Sequence, residues 1–421
     1  MKILVIHNFF CEHAGAEKSM YQEAVLLREK GHQVYFFATD RKPYFEKDYK
    51  FARYFPTYID YNSLSVQESF KYLLRPFYNH EAEYELKKYL RIIKPDIVHC
   101  HSIYYHLTPS VLNACYEKNI PVVMTLRDSR LVCPSGTLMF KGNSYCHEEL
   151  CIGKNPLNCL LNSCKNKSFT ASAIVTFEHL FNRFNKLYEN INMFICPSQA
   201  LLELTAKSGI PRSKLTLLNN FIDDRVFRDN IPDYSDLQYF LYAGRLAREK
   251  GVHYLLEAMS QLPDIRLRIA GNGPEEENLK ELARELNLQN VEFVGYKKGR
   301  HLEKEYRNCI ATILPCNWFE NFPRNIIESF AHGKAVIGSN IGGIPEIIDD
   351  GLNGIIFEPG NVTQLVGAIK MLNSDRNLAI RMGRLGREKA ESFYTSDIHY
   401  EQLIKIYQTV LDSVKCYKRS I

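Results

Sequence analysis

The sequence predicts an α/β protein built from two doubly wound, Rossmann-like domains. Three observations carry that reading. At 421 residues the chain is too long for one compact core and suits two domains. Residues 2–38 run strand, loop, helix, strand, which opens a parallel sheet. From Gln238 onward, short apolar strands alternate with amphipathic helices again, implying a second parallel sheet.

Composition narrows the function class. Hydrophobic residues make up 45% and charged residues 24%, ordinary values for a soluble globular protein. A net charge of +5 permits attraction to an anionic membrane surface and is too weak to argue for nucleic acid. The opening MKILVIHNFF reads as a first strand and not as a signal peptide. Nothing approaches the roughly 20 apolar residues of a membrane-spanning helix. The expectation is a cytoplasmic protein, with a peripheral position at the inner face of the plasma membrane left open, whose 12 cysteines are mostly thiols.

In the first domain, Lys2 to His7 reads as a buried strand and Asn8 to Gly15 as a loop. Residues 16–30 place Met20, Ala24 and Leu27 on one helical face, with Gly31 as the stop. Val34 to Ala38 follows as a strand. Residues 41–80 are rich in Tyr and Phe without clean period, either an apolar ligand-facing surface or an irregular packed excursion. An amphipathic helix over 81–93 leads into the strand Pro95 to Cys100, whose end brings His99 and His101 to one face. Pro121 to Leu126 is another strand, followed by Arg127 and Asp128. Five cysteines then fall between residues 133 and 164. Cys146/Cys151 and Cys159/Cys164 form two pairs, each with four residues between partners. They read either as a structural tetrathiolate zinc site or as reduced thiols in a loop-rich insertion. Strands at Met193 to Pro197 and Leu215 to Leu218 flank a helix over Gln199 to Lys207, and the polar stretch 228–237 reads as the linker.

In the second domain the strand 238–242 runs into AGRLAREKG, with Arg245 and Lys250 in its loop. Strands at Leu267 to Ala270 and Val291 to Val294 lead to the densest stretch, residues 311–360. There Ala311 to Leu314 is a buried strand. A loop holding Glu320 follows, then a helix opened near Pro323, carrying Glu328 on its second turn and stopped at Gly333. Strands Ala335 to Gly338 and Gly354 to Phe357 flank a Gly342-Gly343 turn. Strand, loop and helix N-terminus in that order form a phosphate cradle, because unpaired N–H groups and the helix dipole face an anion. The two acids then suit the hydroxyl-bearing part of the same ligand. A ligand with phosphate beside hydroxyls is a nucleotide-sugar.

GKAVIGSNIGGIPEII, GLNGIIFEPGN and the Glu320/Glu328 pair resemble, in order and spacing, the donor-binding region of retaining glycosyltransferases of family 4, which have the GT-B fold. The resemblance covers residues 1 to about 400. It implies two Rossmann-like domains facing a central cleft, 1–227 for the acceptor and 238–395 for the donor, with a final helix from residue 396 packing back on the first. It implies sugar transfer from a nucleoside diphosphate sugar to an acceptor hydroxyl with retention, in bacterial polysaccharide or glycolipid assembly. Donor-site residues carried over are Gly15 in CEHAGAE, Arg245, Lys250, Asn321, Phe322, Pro323 and Glu328. Glu320, His101, Arg127 and Asp128 carry over to the reacting centre, although relatives with LVCP at this point commonly have His where Arg127 stands. No cofactor beyond the donor is implied, and no Asp-x-Asp pair for a divalent metal occurs. The implied partners are the nucleotide-sugar and a carbohydrate or lipid-linked saccharide acceptor. A GT-B epimerase or phosphorylase, or a non-catalytic carbohydrate-binding scaffold, are the alternatives.

Overall fold

The computed structural model describes every residue except 13–14, 62, 64, 66, 69–71, 73, 142–143, 147–148, 230 and 420–421, and the side chains of Ser144 and 416–419 are likewise left aside. The chain divides into two compact units. The first comprises Met1–Pro197, Leu202–Leu218 and Tyr400–Ile421; the second comprises Ser198–Leu201 and Asn219–His399.

The first unit holds a parallel sheet of β1 (Lys2–Ile6), β2 (Gln33–Phe37), β3 (Ile97–Cys100), β4 (Val122–Thr125), β7 (Met193–Cys196) and β8 (Leu215–Leu217), in the order β2-β1-β3-β4-β7-β8. A two-residue hairpin, β5 (Met139–Phe140) with β6 (Ser144–Tyr145), lies in the insertion between β4 and β7. Strands β3 and β4 are buried throughout, which is why parallel strands read as apolar runs and not as alternations. Helix Gly15–Glu29 buries Met20, Ala24 and Leu27, its 3.6-residue stripe. Helix His80–Ile93 is capped by the Asn79 side chain, which accepts from the Ala82 amide. Rings of the tyrosine-rich segment after β2 pack on the elements before it: Phe45 stacks on Tyr21 at 4.3 Å, and Tyr49 meets Phe10 edge-on at 5.2 Å. The last helix, Ser396–Arg419, buries Leu403, Tyr407 and Val410 in this unit's core. No described helix is long and apolar enough to cross a membrane.

The second unit holds β9 (Tyr239–Ala243), β10 (Leu267–Ala270), β11 (Val291–Phe293), β12 (Cys309–Leu314), β13 (Ala335–Ser339) and β14 (Gly354–Phe357), in the order β11-β10-β9-β12-β13-β14. All its pairs are parallel. β12 begins at Cys309, ahead of the expected Ala311, because Cys309 already pairs with Tyr239 and both Cys309 and Ile310 are buried; the register with β9 then shifts before Thr312. Phe240, Leu255, Leu267, Ile269, Ile337 and Ile369 are fully buried at the centre of its core. Residues of the 228–237 stretch pack on this unit: the buried ammonium of Lys334 donates to the Asp233 carbonyl and lies 5.0 Å from the Tyr234 ring. The units thus have the two six-stranded α/β sheets of a GT-B-like protein.

Candidate active site

Open parallel sheets bind ligands at the carboxyl ends of the strands where the strand order reverses. In the second unit that point lies between β9 and β12. β9 exits into Gly244 and Arg245, and β12 exits into the loop from Pro315 to Pro323. The two exits are tied by backbone. Gly251 sits at φ +68, and a Cβ there would lie 1.9 Å from the Pro315 carbonyl oxygen, so only glycine fits. The Asn317 amide donates to the Glu249 carbonyl at 3.2 Å.

That closeness brings Lys250 and Glu320 into an ion pair. The same carboxylate accepts from the Trp318 indole at 2.7 Å and from the Cys316 thiol at 3.4 Å. The Lys250 ammonium also stands 5.2 Å over the Trp318 ring. Burial alone pushes the Glu320 carboxyl up. The Lys250 charge and the bonds from Lys250, Trp318 and Cys316 outweigh it and hold the pKa below the usual carboxylate range. Burial likewise pulls the Lys250 ammonium down, and the Glu320 charge more than restores it, so its pKa ends above the ordinary lysine value. Both groups are therefore ionised at neutral pH. Arg245, by contrast, is exposed and has no ion-pair partner among the described residues.

The Glu320 loop is held from behind. Gly343 donates its amide to the Glu320 carbonyl at 2.7 Å, and a Cβ on Gly342 (φ +61) would lie 2.2 Å from that oxygen. The Asn321 side chain accepts from the Ser198 hydroxyl at 2.9 Å, and Asn220 donates to the Phe322 carbonyl at 2.9 Å. Helix Arg324–Ala331 then starts with Pro323 at its N-cap, a residue that offers its first-turn amides no side-chain acceptor. Asn325 ties this helix start to the end of β9 through the Ala243 carbonyl, at 3.3 Å. Glu328, half-buried on the second turn, accepts from the Tyr306 hydroxyl at 3.4 Å. It takes no part in the Lys250–Glu320 pair.

In the first unit the order reverses between β1 and β3. His7 and His101 follow those strands, and Arg127 follows β4. Arg127 turns inward: its Nε donates to His101 Nδ1 at 3.3 Å, and its terminal nitrogen to Glu23 at 3.4 Å. Arginine is an obligate donor, so His101 Nδ1 must accept and the ring proton sits on Nε2, 3.7 Å from Glu23. His99 is bound on both nitrogens, by the Tyr407 and Thr125 hydroxyls, each at 2.7 Å. Burial drives His7 down to about 4 despite Glu17 at 4.0 Å, so it is neutral at neutral pH. Gly15 opens the helix Gly15–Glu29, and a Cβ there would meet nothing within 4 Å; its neighbours His13 and Ala14 lie outside the described residues. Asp128 is not brought to His101. It accepts from the Arg130 amide at 2.9 Å, burial raises its pKa, and its charged neighbours are Arg130, Lys165 and Glu178. The Arg130–Glu178 pair beside it is buried and closes over Tyr105, 3.8 Å from the guanidinium.

The sequence reading missed three members of these sites. Trp318 is the chain's only tryptophan and stands two residues before the acid, a signal that was there to use. Cys316 and Glu23 carry no local mark.

Comparison with known proteins follows the same division. A family model described as Glycosyltransferase Family 4 matches residues 13–226, and one described as Glycosyl transferases group 1 matches residues 223–389. An uncharacterized glycosyltransferase of Methanocaldococcus jannaschii is 24% identical over 78% of this chain and 80% of its own length. A glycogen synthase of Mycobacterium tuberculosis is 30% identical, over 48% of this chain and only half of that protein. Among solved structures, a sucrose-phosphate synthase from Thermosynechococcus elongatus superposes with TM-score 0.71 at 17% identity, covering 98% of this chain and 99% of that one. Anabaena HepE in complex with UDP superposes with TM-score 0.67 at 17% identity, covering 97% and 100%. With matched models running almost end to end, the chain belongs to the glycosyltransferases, carrying a Glycosyltransferase Family 4 domain followed by a Glycosyl transferases group 1 domain.

Proposed function

We propose that this glycosyltransferase moves a sugar from a nucleoside diphosphate sugar to an acceptor hydroxyl with retention at the anomeric carbon. The observation that carries the proposal is the β9/β12 exit, which brings together the loop of Arg245 and Lys250, the Lys250–Glu320 pair and a helix start whose N-cap is proline. A leaving nucleoside diphosphate gains charge as its bond to the sugar breaks. Fixed cations and helix amides are what stabilise such charge. Arg245 and the amides after Pro323 take the diphosphate, with Lys250 shared between it and Glu320. Glu320, ionised, accepts from sugar hydroxyls and is no general acid, while Glu328 accepts from the ribose. Retention follows if the acceptor attacks the face the phosphate leaves, passing its proton to the leaving oxygen. With the chain's own cations at the diphosphate and no Asp-x-Asp pair in the sequence, the transfer is proposed to run without a divalent metal.

The first unit is proposed to receive a saccharide acceptor, with His101 at the sugar and Arg127 and Glu23 fixing its tautomer. Gly15, which no contact among the described residues requires to be glycine, suits close approach of a ligand. The setting proposed is the cytoplasm, in polysaccharide or glycolipid assembly with peripheral membrane contact. Support for that contact is the exposed apolar set Leu161, Phe169, Phe177 and Phe184, which lies among the basic residues Lys167, Arg183 and Lys186. Flotation should carry the protein up with anionic vesicles and not with zwitterionic ones; equal behaviour with both removes the membrane from the proposal.

Titration with UDP, GDP, ADP and TDP, followed by turnover with the matching sugar donors, tests the central reading. Arg245→Ala should cut kcat/KM by roughly a hundredfold with an unchanged melting temperature, because the side chain is exposed. Near-normal transfer by this variant would sink the diphosphate assignment.

A further inference from the structure

Five of the chain's 12 cysteines lie between residues 133 and 164, and the fold turns all five onto one cavity. Cys133 and Cys159 are buried; Cys146, Cys151 and Cys164 are half-buried. None of the five is in a disulfide. The space enclosed is about 20 Å³ for a water-sized sphere, room for one water or one ion and not for a metabolite.

Cysteine is also a small hydrophobe, and five thiols could simply fill a gap. The surrounding segment argues otherwise. Among its described residues it holds only the β5–β6 hairpin and one five-residue helix, Leu157–Leu161, so little regular structure fixes its course. Filling a gap asks for volume alone. It does not ask for two cysteine pairs, each with four residues between partners, one following the hairpin and the other beginning on the short helix, lining the same cavity. Soft thiolates in fours select zinc.

We propose that Cys146, Cys151, Cys159 and Cys164 bind one Zn²⁺ as a structural tetrathiolate. Cys133, hydrogen-bonded to the Ser135 hydroxyl at 3.2 Å, is the fifth sulfur on the cavity wall and stays a thiol. Binding converts four thiols to thiolates and releases four protons to solvent, leaving a site of net charge −2. At a Zn–S distance of about 2.3 Å the sulfurs of a tetrahedron stand about 3.8 Å apart. Among the described residues the only group of three ligand atoms within 4.8 Å is Glu23, His99 and His101. The ion must therefore draw the hairpin and the short helix inward. The Glu23 group is no rival for a metal: Arg127 already donates to its carboxylate and to His101, and both His99 nitrogens are bonded. The same chain runs straight from Arg127 through Cys133 into the insertion, so the ion would also anchor the loop that presents Arg127.

The test is elemental analysis of protein purified without an affinity tag or chelator. About one zinc per chain is expected. Replacement by Co²⁺ should give thiolate-to-metal charge-transfer and tetrahedral d–d absorption. Cys146→Ser and Cys164→Ser should lose the metal, while Cys133→Ser keeps it. Should the first two fail to fold, chelator titration of the wild-type chain still counts the zinc released and the thiols exposed, four of which should appear with it. Absence of metal with all five thiols reacting freely overturns the proposal. So does iron with acid-labile sulfide, or a Cys133→Ser protein stripped of metal.

Discussion

At the scale of single residues, the Lys250–Glu320 pair changes what a mutation there reports. Each partner is largely out of solvent, with side-chain exposures of 21% and 11%. Removing one leaves the other largely buried without its counter-charge, although Glu320 keeps its bonds from Trp318 and Cys316. Lys250→Ala should thus cost about 3 kcal/mol, near the low end for a buried pair because the lysine keeps some exposure. In a unit of this size that lowers the melting temperature by roughly 6–12 °C, and it should impair transfer as well. Arg245→Ala should impair transfer alone. Calorimetry beside kinetics separates them; a Lys250→Ala protein as stable as wild type would mean the pair is not formed. The sign with pH is definite. Glu320, whose folded pKa is depressed, contributes stability above its unfolded pKa and loses it as pH falls through the folded value. None of this pairing was legible in the sequence, where the partners stand 70 residues apart. The loop chemistry of each was. Arg127 is the same case: its unusual identity is visible in the chain, while Glu23, 104 residues away, had to be found by folding.

At the scale of elements, parallel strands were the legible part. Strands β10 and β14 have the limits read for them, each beginning and ending on a buried residue. Helices with no dominant polar face were not legible. Phe169–Phe184 is the instance: it buries Val175 yet leaves Phe169, Ile174, Phe177 and Phe184 exposed, so its sequence points to no core side. Glycine supplied the other readable signal, although its reason was not readable. Gly251 directly follows Lys250 in the chain. In the fold it is where two strand exits touch, at a distance no Cβ allows. Gly251→Ala should therefore cost more than about 3 kcal/mol, combining left-handed strain with forced separation of backbones. Diphosphate affinity should fall with it, because Lys250 moves away from Glu320. A variant that melts and binds as wild type does would show that the exits are not packed as described.

At the scale of the whole molecule, the first unit is discontinuous in sequence: its last piece is Tyr400–Ile421, after the entire second unit. Tyr407 is fully buried there and bonds His99, 308 residues earlier, and the Tyr400 hydroxyl meets His32 at 2.9 Å. A chain ending at His399 loses Leu403, Tyr407 and Val410 from the core. At roughly 2–5 kcal/mol for each large buried side chain, that reaches the whole stability of an ordinary domain. Limited proteolysis of such a truncation should degrade the first unit and spare a fragment from about residue 219, which has its own sheet and core. Survival of both units would refute it. Ribosomes make proteins from the amino end, so the unit begun first is the one finished last. While some 180 intervening residues emerge, at about 5–20 per second, β3 waits with its histidine unsealed. For roughly 10 to 40 seconds of every synthesis, the nascent first half is a sheet lacking its closing helix, and an obvious client for a chaperone.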